Sequence, residues 1–412
     1  EKLYQVLIKH NPNFLGTKGR LVRIAQKILD RCIFIFFCED MGSALSFPPQ
    51  ILRDFLITRS RDEYFDSDAF TIWAEMISLF KAMNEGKMFG EKRVNQFNGG
   101  LFADDPEIEA LVLPNSIFCR KGQGQNEASL NAHKDTVLYL SAAYNYASDM
   151  AETLKALPDD VTDPTKALKR DPSRSLGLYT LGRIFEQSIT ELEILEAQAD
   201  GLPSINKESK RKRDGVYYTP EWIVERIVSE TIGSRFNEIK LECGWPEKGI
   251  PDLKAIEKYI ERLKDFKVVD PACGSGAFLI TVLRYFLEEW RSLLVQRSAI
   301  TRKKIYSDEA QVIKDILRNN IYGVDINPAS VEITRLALWL HTASGDKPLS
   351  SLNDTILDGN TLIGEAFYKG QIDINFYNES QMERINTFDW DKRFPEVYKN
   401  GGFDAVISNP PY

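Results

Sequence analysis

The stretch Val268-Val269-Asp270-Pro271-Ala272-Cys273-Gly274-Ser275-Gly276-Ala277-Phe278-Leu279 constrains this chain more than any other. Phe266 to Val269 reads as a short buried strand, and the apolar run after Gly276 opens a helix. Between them the residues are small. Gly274 and Gly276 lack a Cβ, so the backbone can turn sharply there and press against a ligand. The free N–H groups at the start of the helix then face that ligand. A strand, a glycine loop and a helix form half of a nucleotide-type pocket. Many tight turns look alike, and the reading gains weight from its company. Asp325 ends a second predicted strand (Ile321 to Val324), Asp358 a third (Thr355 to Asp358), and Asn409-Pro410-Pro411-Tyr412 follows a fourth, Phe403 to Ser408.

Together these residues resemble the S-adenosylmethionine-dependent amino-methyltransferases of the DNA adenine-N6 type. Asp270 to Gly276 is similar to that family's cofactor loop, Asn409 to Tyr412 to its catalytic tetrapeptide, and Gly215-Val216-Tyr217-Tyr218-Thr219-Pro220 to its first cofactor-contacting motif. Cofactor motifs ahead of the tetrapeptide are the order of the γ subgroup. The resemblance covers about the last half of the chain. It implies a Rossmann-like, doubly wound α/β domain that is incomplete at its C-terminus and preceded by a mostly α-helical domain. The expected division is a helical connector at 1–205, a basic linker at 206–214, and the N-terminal part of the methyltransferase domain at 215–412.

The resemblance also implies roles. Tyr218, Thr219, Asp270, Ala272, Gly274, Gly276, Asp325, Ile326, Asp358 and Asn409 are expected to contact S-adenosylmethionine. Asn409, Pro410, Pro411 and Tyr412 are expected to carry the chemistry. An acid at the end of the second strand of a doubly wound sheet can accept both ribose hydroxyls, and such charge-assisted bonds contribute about 1.5–3 kcal/mol. Asp358 is implied to accept from the exocyclic amine of the cofactor's adenine. The next position, which packs near that ring in the family, is Gly359 here, so packing has to come from elsewhere, with Leu362 a candidate. On local grounds alone Thr219 caps a helix over Glu221 to Ile232, with Pro220 as its first residue.

The tetrapeptide suits a difficult acceptor. The exocyclic nitrogen of adenine is a poor nucleophile because its lone pair is delocalised into the ring. Two acceptors, the Asn409 side-chain oxygen and the Pro410 carbonyl, can draw its two hydrogens and free that pair. Proline has a fixed φ and no competing N–H. Tyr412 offers a face for stacking, worth about 1–3 kcal/mol per base. The leaving group rides on a sulfonium, so no metal is needed in this chain; Mg²⁺ would enter only with a nuclease. Within duplex DNA the base has to swing out, at a cost of a few kcal/mol. Methyltransferases acting on a protein glutamine or an RNA amine share the tetrapeptide, and a cytosine-N4 enzyme and a non-catalytic SAM-binding DNA-recognition subunit remain alternatives.

Residues 1 to about 205 read as mostly helical. Leu21 to Phe37 suits a core helix, Asp68 is placed to cap a helix bearing Phe70 to Met83, and further helices are expected over Lys134 to Leu157 and Leu176 to Gln198. Phe36-Phe37-Cys38-Glu39-Asp40-Met41-Gly42 and Phe97-Asn98-Gly99-Gly100-Leu101-Phe102 resemble the helical region of type IIG restriction–modification enzymes and of BREX phage-defence methylases. Asn98-Gly99-Gly100 reads as a turn between apolar anchors, and Glu39 and Asp40 as a helix terminus. No acidic cluster with a lysine suggests a nuclease centre.

A net charge of −8 is awkward for a protein that neutralises phosphates. The one basic cluster, Lys207 to Arg213, is either a solvated linker or a phosphate-contacting hinge. Five scattered cysteines and three histidines give neither a disulfide framework nor a zinc site. The longest apolar run, Cys32 to Cys38, is too short to span a bilayer. A cytoplasmic protein that engages double-stranded DNA and no membrane is expected. The chain opens without Met and ends on Tyr412, read as a piece of a longer polypeptide whose remainder supplies further strands and a target-recognition domain.

Overall fold

The structure, a computed structural model, describes residues 2–41, 47–97, 100–144, 219–246, 248–302, 308–340, 352–364 and 385–410, with the isolated positions 195, 199 and 366. Two compact units divide the chain, Glu1–Lys207 with Ala343–Pro348, and Glu208–Thr342 with Leu349–Tyr412. No helix among the described residues is long and apolar enough to cross a membrane.

Among its described residues the first unit is helical apart from one hairpin. Its elements are α1 (Lys2–His10), α2 (Lys18–Met41), α3 (Ile51–Ser60), α4 (Thr71–Glu85), β1 (Met88–Phe89), β2 (Lys92–Arg93), α5 (Pro106–Glu109), α6 (Asn115–Phe118), α7 (Glu127–Asn131) and α8 (Val137–Tyr144). The apolar end of α2 is buried as its sequence requires. Phe34 meets the rings of Phe97 and Phe102 at 5.4 and 5.5 Å. Those two residues are the anchors expected on either side of the turn; Asn98 and Gly99 themselves lie outside the described residues. Arg31 is buried beside them. Its guanidinium donates to the carbonyls of Leu101 and Ala103 at 2.7 and 2.9 Å and lies 5.0 Å from the Phe80 ring centroid.

One local expectation fails here for a tertiary reason. Asp68 does not cap α4, which begins three residues later. Asn115, at the start of α6, does so across the fold, its Oδ1 accepting from the N–H of Ile72 at 2.9 Å. Likewise α3 has no cap from its own Gln50; Oε1 of Glu39, on α2, accepts from Leu52 N at 2.6 Å. Its Oε2 has no hydrogen-bond partner among the described residues.

Burial pushes the Glu39 carboxyl up to about 8 from its ordinary 4.5. The folded chain thus keeps a proton that the unfolded chain releases, and stability falls as pH rises from about 4.5 to 8. Glu39→Gln keeps the acceptor without the charge. It is expected to flatten the pH dependence of melting across that window, while Glu39→Ala lowers stability by about 1 kcal/mol through the lost cap. Denaturant melts at pH 5 and pH 8 read both effects.

The second unit carries the glycine loop. Its helices and strands are α9 (Glu221–Val228), α10 (Ser234–Glu242), α11 (Leu253–Asp265), β3 (Val268–Asp270), α12 (Ala277–Thr301), α13 (Glu309–Asn319), β4 (Ile321–Asp325), α14 (Pro328–Leu340), β5 (Ile356–Asp358), α15 (Trp390–Arg393), α16 (Pro395–Lys399) and β6 (Ala405–Val406). A π-helical turn at Ser229–Gly233 joins α9 to α10, so the helix runs to Glu242, past the expected stop at Ile232.

Among the described residues four strands form one parallel sheet in the order β5-β4-β3-β6. Val268 pairs with Ile321 and with Ala405, and Asp325 with Asp358. Alternate residues face opposite sides, as the pleat demands. Val268, Ile321, Ile356 and Ile407 enter one core with α9 to α14, and Val269, Tyr322, Val324 and Leu357 enter another with Phe388, Phe394 and Val397. Both faces of β3, β4 and β5 are therefore covered, and strands this short survive because both sides are apolar, whereas Val406 on the edge strand β6 is exposed.

Within residues 385–400, the rings of Phe388, Trp390 and Phe394 close the second face of the sheet. Strand phase is set by Asn320, the residue before β4. Its Nδ2 donates to the carbonyls of Leu263, Lys264 and Phe266 at 2.8–3.0 Å, tying the end of α11 and the start of β3 to β4.

Candidate active site

A parallel sheet delivers all its strand ends to one edge, and the singled-out carboxylates stand there. Asp270 ends β3 and is fully buried. Its Oδ1 accepts from Ala272 N at 3.0 Å and from the Ser408 hydroxyl at 2.8 Å, while Oδ2 has no partner among the described residues. Burial first of all, with the charge of Asp325 adding to it, pushes this carboxyl up to about 7.

The loop after Asp270 is held from several directions. Cys273 N donates to the Val324 carbonyl at 3.0 Å, Gly274 N to Asp325 Oδ2 at 2.9 Å, and the Thr334 hydroxyl to the Gly274 carbonyl at 2.7 Å. Gly274 and Gly276 take φ of +52° and +86°, the left-handed region that glycine enters without strain. A Cβ on Gly276 would lie 3.0 Å from Thr334 Cγ2, whereas one on Gly274 would meet nothing within 4 Å. The loop is thus packed behind Gly276 and open at Gly274. Cys273 is buried, and burial pushes its thiol well up, so it packs as an apolar group.

Asp325 ends β4 with both oxygens engaged, Oδ2 by Gly274 N and Oδ1 by Asn327 N at 2.9 Å. Each carboxylate oxygen accepts more than one bond, so capacity remains. Burial raises this carboxyl too. Ile326, the next residue, is 53% exposed, an apolar side chain at the strand edge. Asp358 ends β5 and accepts from Asn386 Nδ2 at 3.1 Å. Gly359 is close-packed, because a Cβ there would fall 2.5 Å from Phe388 Cδ2. Leu362 stands clear of the body at 93% exposure.

Asn409 follows β6, and its Nδ2 donates to the Thr219 hydroxyl at 3.0 Å. Pro220, and not Thr219, occupies the N-cap position of α9. Pro410 is exposed. Tyr218, Pro411, Tyr412 and the basic stretch 207–213 lie outside the described residues.

The sequence reading did not single out Ser408, Thr334, Asn386 or Thr361, whose hydroxyl donates to the Pro271 carbonyl at 3.1 Å. Ser408 had a signal, as a polar residue between a strand and a singled-out motif. The other three act across the fold, which no local pattern foretells.

Comparison with known proteins adds to the geometry. Residues 319–412 match the model of the Eco57I restriction-modification methylase, and residues 24–102 that of the MmeI helicase spacer domain. The chain is 25% identical over 387 residues to a putative type II restriction enzyme and methyltransferase of Methanocaldococcus jannaschii, RM.MjaORFECS2P, covering 83% of this chain and 27% of that protein. It is 24% identical over 329 residues to the adenine-specific methyltransferase PglX of Streptomyces coelicolor, covering 75% of this chain and 22% of that one. With the type II restriction enzyme and methyltransferase RM.Eco57I of Escherichia coli it shares 29% identity over 252 residues, covering 56% and 21%. The chain thus spans about a quarter of the length of the curated relatives it matches.

Proposed function

We propose that this chain, a relative of the Eco57I-type restriction–modification methylases, carries the methyl-transfer site of a DNA methyltransferase that modifies adenine N6. The observation that supports the reading most is the junction of two strand ends. β6, which precedes Asn409, pairs with β3, which precedes the glycine loop, and Ser408 bonds Asp270 at 2.8 Å. Two chemically distinct motifs 138 residues apart in the chain are thereby joined at one edge.

The residues fit S-adenosylmethionine as methyl donor. A buried carboxylate oxygen without a partner suits a cationic amine, the open side of Gly274 gives a ligand close access to backbone, and Asp325 keeps capacity for hydroxyls. Ile326 offers an apolar surface to a base. Asp270, Ala272, Gly274, Gly276, Asp325 and Asp358, with Tyr218, are the residues we assign to holding it. When bound it supplies a methyl group on a positively charged sulfur.

The chain's own contribution is alignment and charge placement. Asn409 Oδ1 and the Pro410 carbonyl accept the two hydrogens of the target amine, which raises the density on its nitrogen. Tyr412 stacks on the base once it has left the duplex. The extra proton leaves to water after transfer, so no strong general base is required. Double-stranded DNA is the proposed partner, with specificity supplied by the rest of the parent polypeptide.

The test is mass spectrometry of nucleosides after incubating the full-length enzyme with donor and unmethylated duplex DNA. N6-methyladenine is expected. N4-methylcytosine, or methylation only of a protein glutamine or an RNA, would replace this reading with one of its enzymatic alternatives. Donor and DNA binding without transfer would mark a recognition subunit.

A further inference from the structure

We propose that Thr219 is a positioning residue which sets the sense of the Asn409 side-chain amide, so that its oxygen faces the methyl acceptor. The inference rests on the function proposed above and goes past it, since the family resemblance gives Thr219 only a place beside the donor. Two observations carry it, for Thr219 as the residue just ahead of the N-cap position that Pro220 occupies at α9. The Thr219 hydroxyl oxygen accepts from Asn409 Nδ2 at 3.0 Å, across 190 residues of chain. And the neighbouring Ser408 is anchored separately, to Asp270 at 2.8 Å, so the backbone that bears the amide is already fixed and only the side chain needs setting.

The chemistry makes that setting matter. A primary amide has two ends of similar shape and opposite hydrogen-bonding character, and the last torsion of asparagine is broad. Turned one way, Asn409 presents an acceptor to the amine hydrogens; turned the other way, it presents two donors and repels them. A hydroxyl that takes up an Nδ2 hydrogen leaves both lone pairs of Oδ1 for the target. Thr219 therefore acts through Asn409 and need not touch the reacting atoms.

The experiment uses the full-length enzyme with Thr219→Val, which keeps the shape and removes the hydroxyl, and Thr219→Ser, which restores it. Three quantities are read: single-turnover methylation of an adenine duplex, donor affinity by calorimetry without DNA, and KM for DNA. Thr219→Val is expected to slow methyl transfer about 10- to 100-fold, the range for one lost orienting hydrogen bond. Donor affinity and KM should stay within about threefold, and Thr219→Ser should return the rate to within about threefold of wild type. If valine prevents folding, Thr219→Ala carries the same expectation.

Full activity in the valine variant would overturn the proposal, as would a loss explained by weaker donor binding. Asn409→Ala run alongside separates the two levels. An inactive Asn409→Ala with an active Thr219→Val defeats only the positioning role. A fully active Asn409→Ala defeats the methyl-transfer reading and this inference together.

Discussion

Asn409→Ala is expected to slow methyl transfer to an adenine duplex by about 10²- to 10⁴-fold while the protein stays folded. The size follows from the kind of interaction removed. An acceptor already aimed at an amine, in a site held before substrate arrives, contributes about 3–5 kcal/mol to the transition state, comparable with one preorganised oxyanion donor. Asn409 is half-buried and its side-chain amide bonds the Thr219 hydroxyl, so its truncation leaves no core cavity. Melting temperature should shift by no more than a degree or two. Single-turnover kinetics at saturating donor and DNA isolate the chemical step. A variant within tenfold of wild type would remove the amide from the mechanism.

Asp270→Asn is the second large effect, and it has two signs. Burial raises this carboxyl from 3.8 to about 7, so the ligand-free fold keeps a proton that the unfolded chain gives up above about pH 4. The stability of the ligand-free protein then falls as pH rises from about 4 to 7 and stays low above that. Asparagine keeps an acceptor for Ala272 N and Ser408 and carries no charge. At pH 8 the ligand-free variant is expected to melt a few degrees higher than wild type, roughly 2–4 °C for each kcal/mol regained in a domain of this size.

Donor binding should move the other way. Loss of a charge-assisted bond to a cationic amine weakens affinity by about 10- to 100-fold. Scanning fluorimetry of both proteins, with and without S-adenosylmethionine across pH 5–8, reads the two effects in one experiment. A variant that melts lower at pH 8 without donor, or binds donor as tightly as wild type, would refute this account of Asp270.

The strand ends and turns that frame the candidate site were legible because their signals are local. An acid at the end of an apolar strand, two glycines after it, and a polar tetrapeptide after another strand can each be read within ten residues. Parallel pairing then brings Asp325 opposite Asp358 and the residues before Asn409 beside β3. What escaped was settled by distant partners. Thr219 and Asp68 carry every local mark of a helix cap, yet Thr219 bonds Asn409 and Asn115 supplies the cap of α4. Gly323 carries no local signal within its strand, yet a Cβ there would lie 2.7 Å from Leu279 Cδ1 and 3.2 Å from Cys273 Sγ, so any side chain at this position has to displace those neighbours. Glu39 reads as a helix-end charge and caps a different helix.

The returning segment that roofs the second sheet face closes on its own beginning. Asn360 N reaches the Asn386 carbonyl at 2.6 Å, Phe388 N reaches that of Ile363 at 2.8 Å, and Asn360 bridges Thr387. These bonds fasten the turn after β5 directly to the residues whose rings cover the second face of the sheet, so a substitution that loosens the turn beside Asp358 is expected to loosen that cover with it.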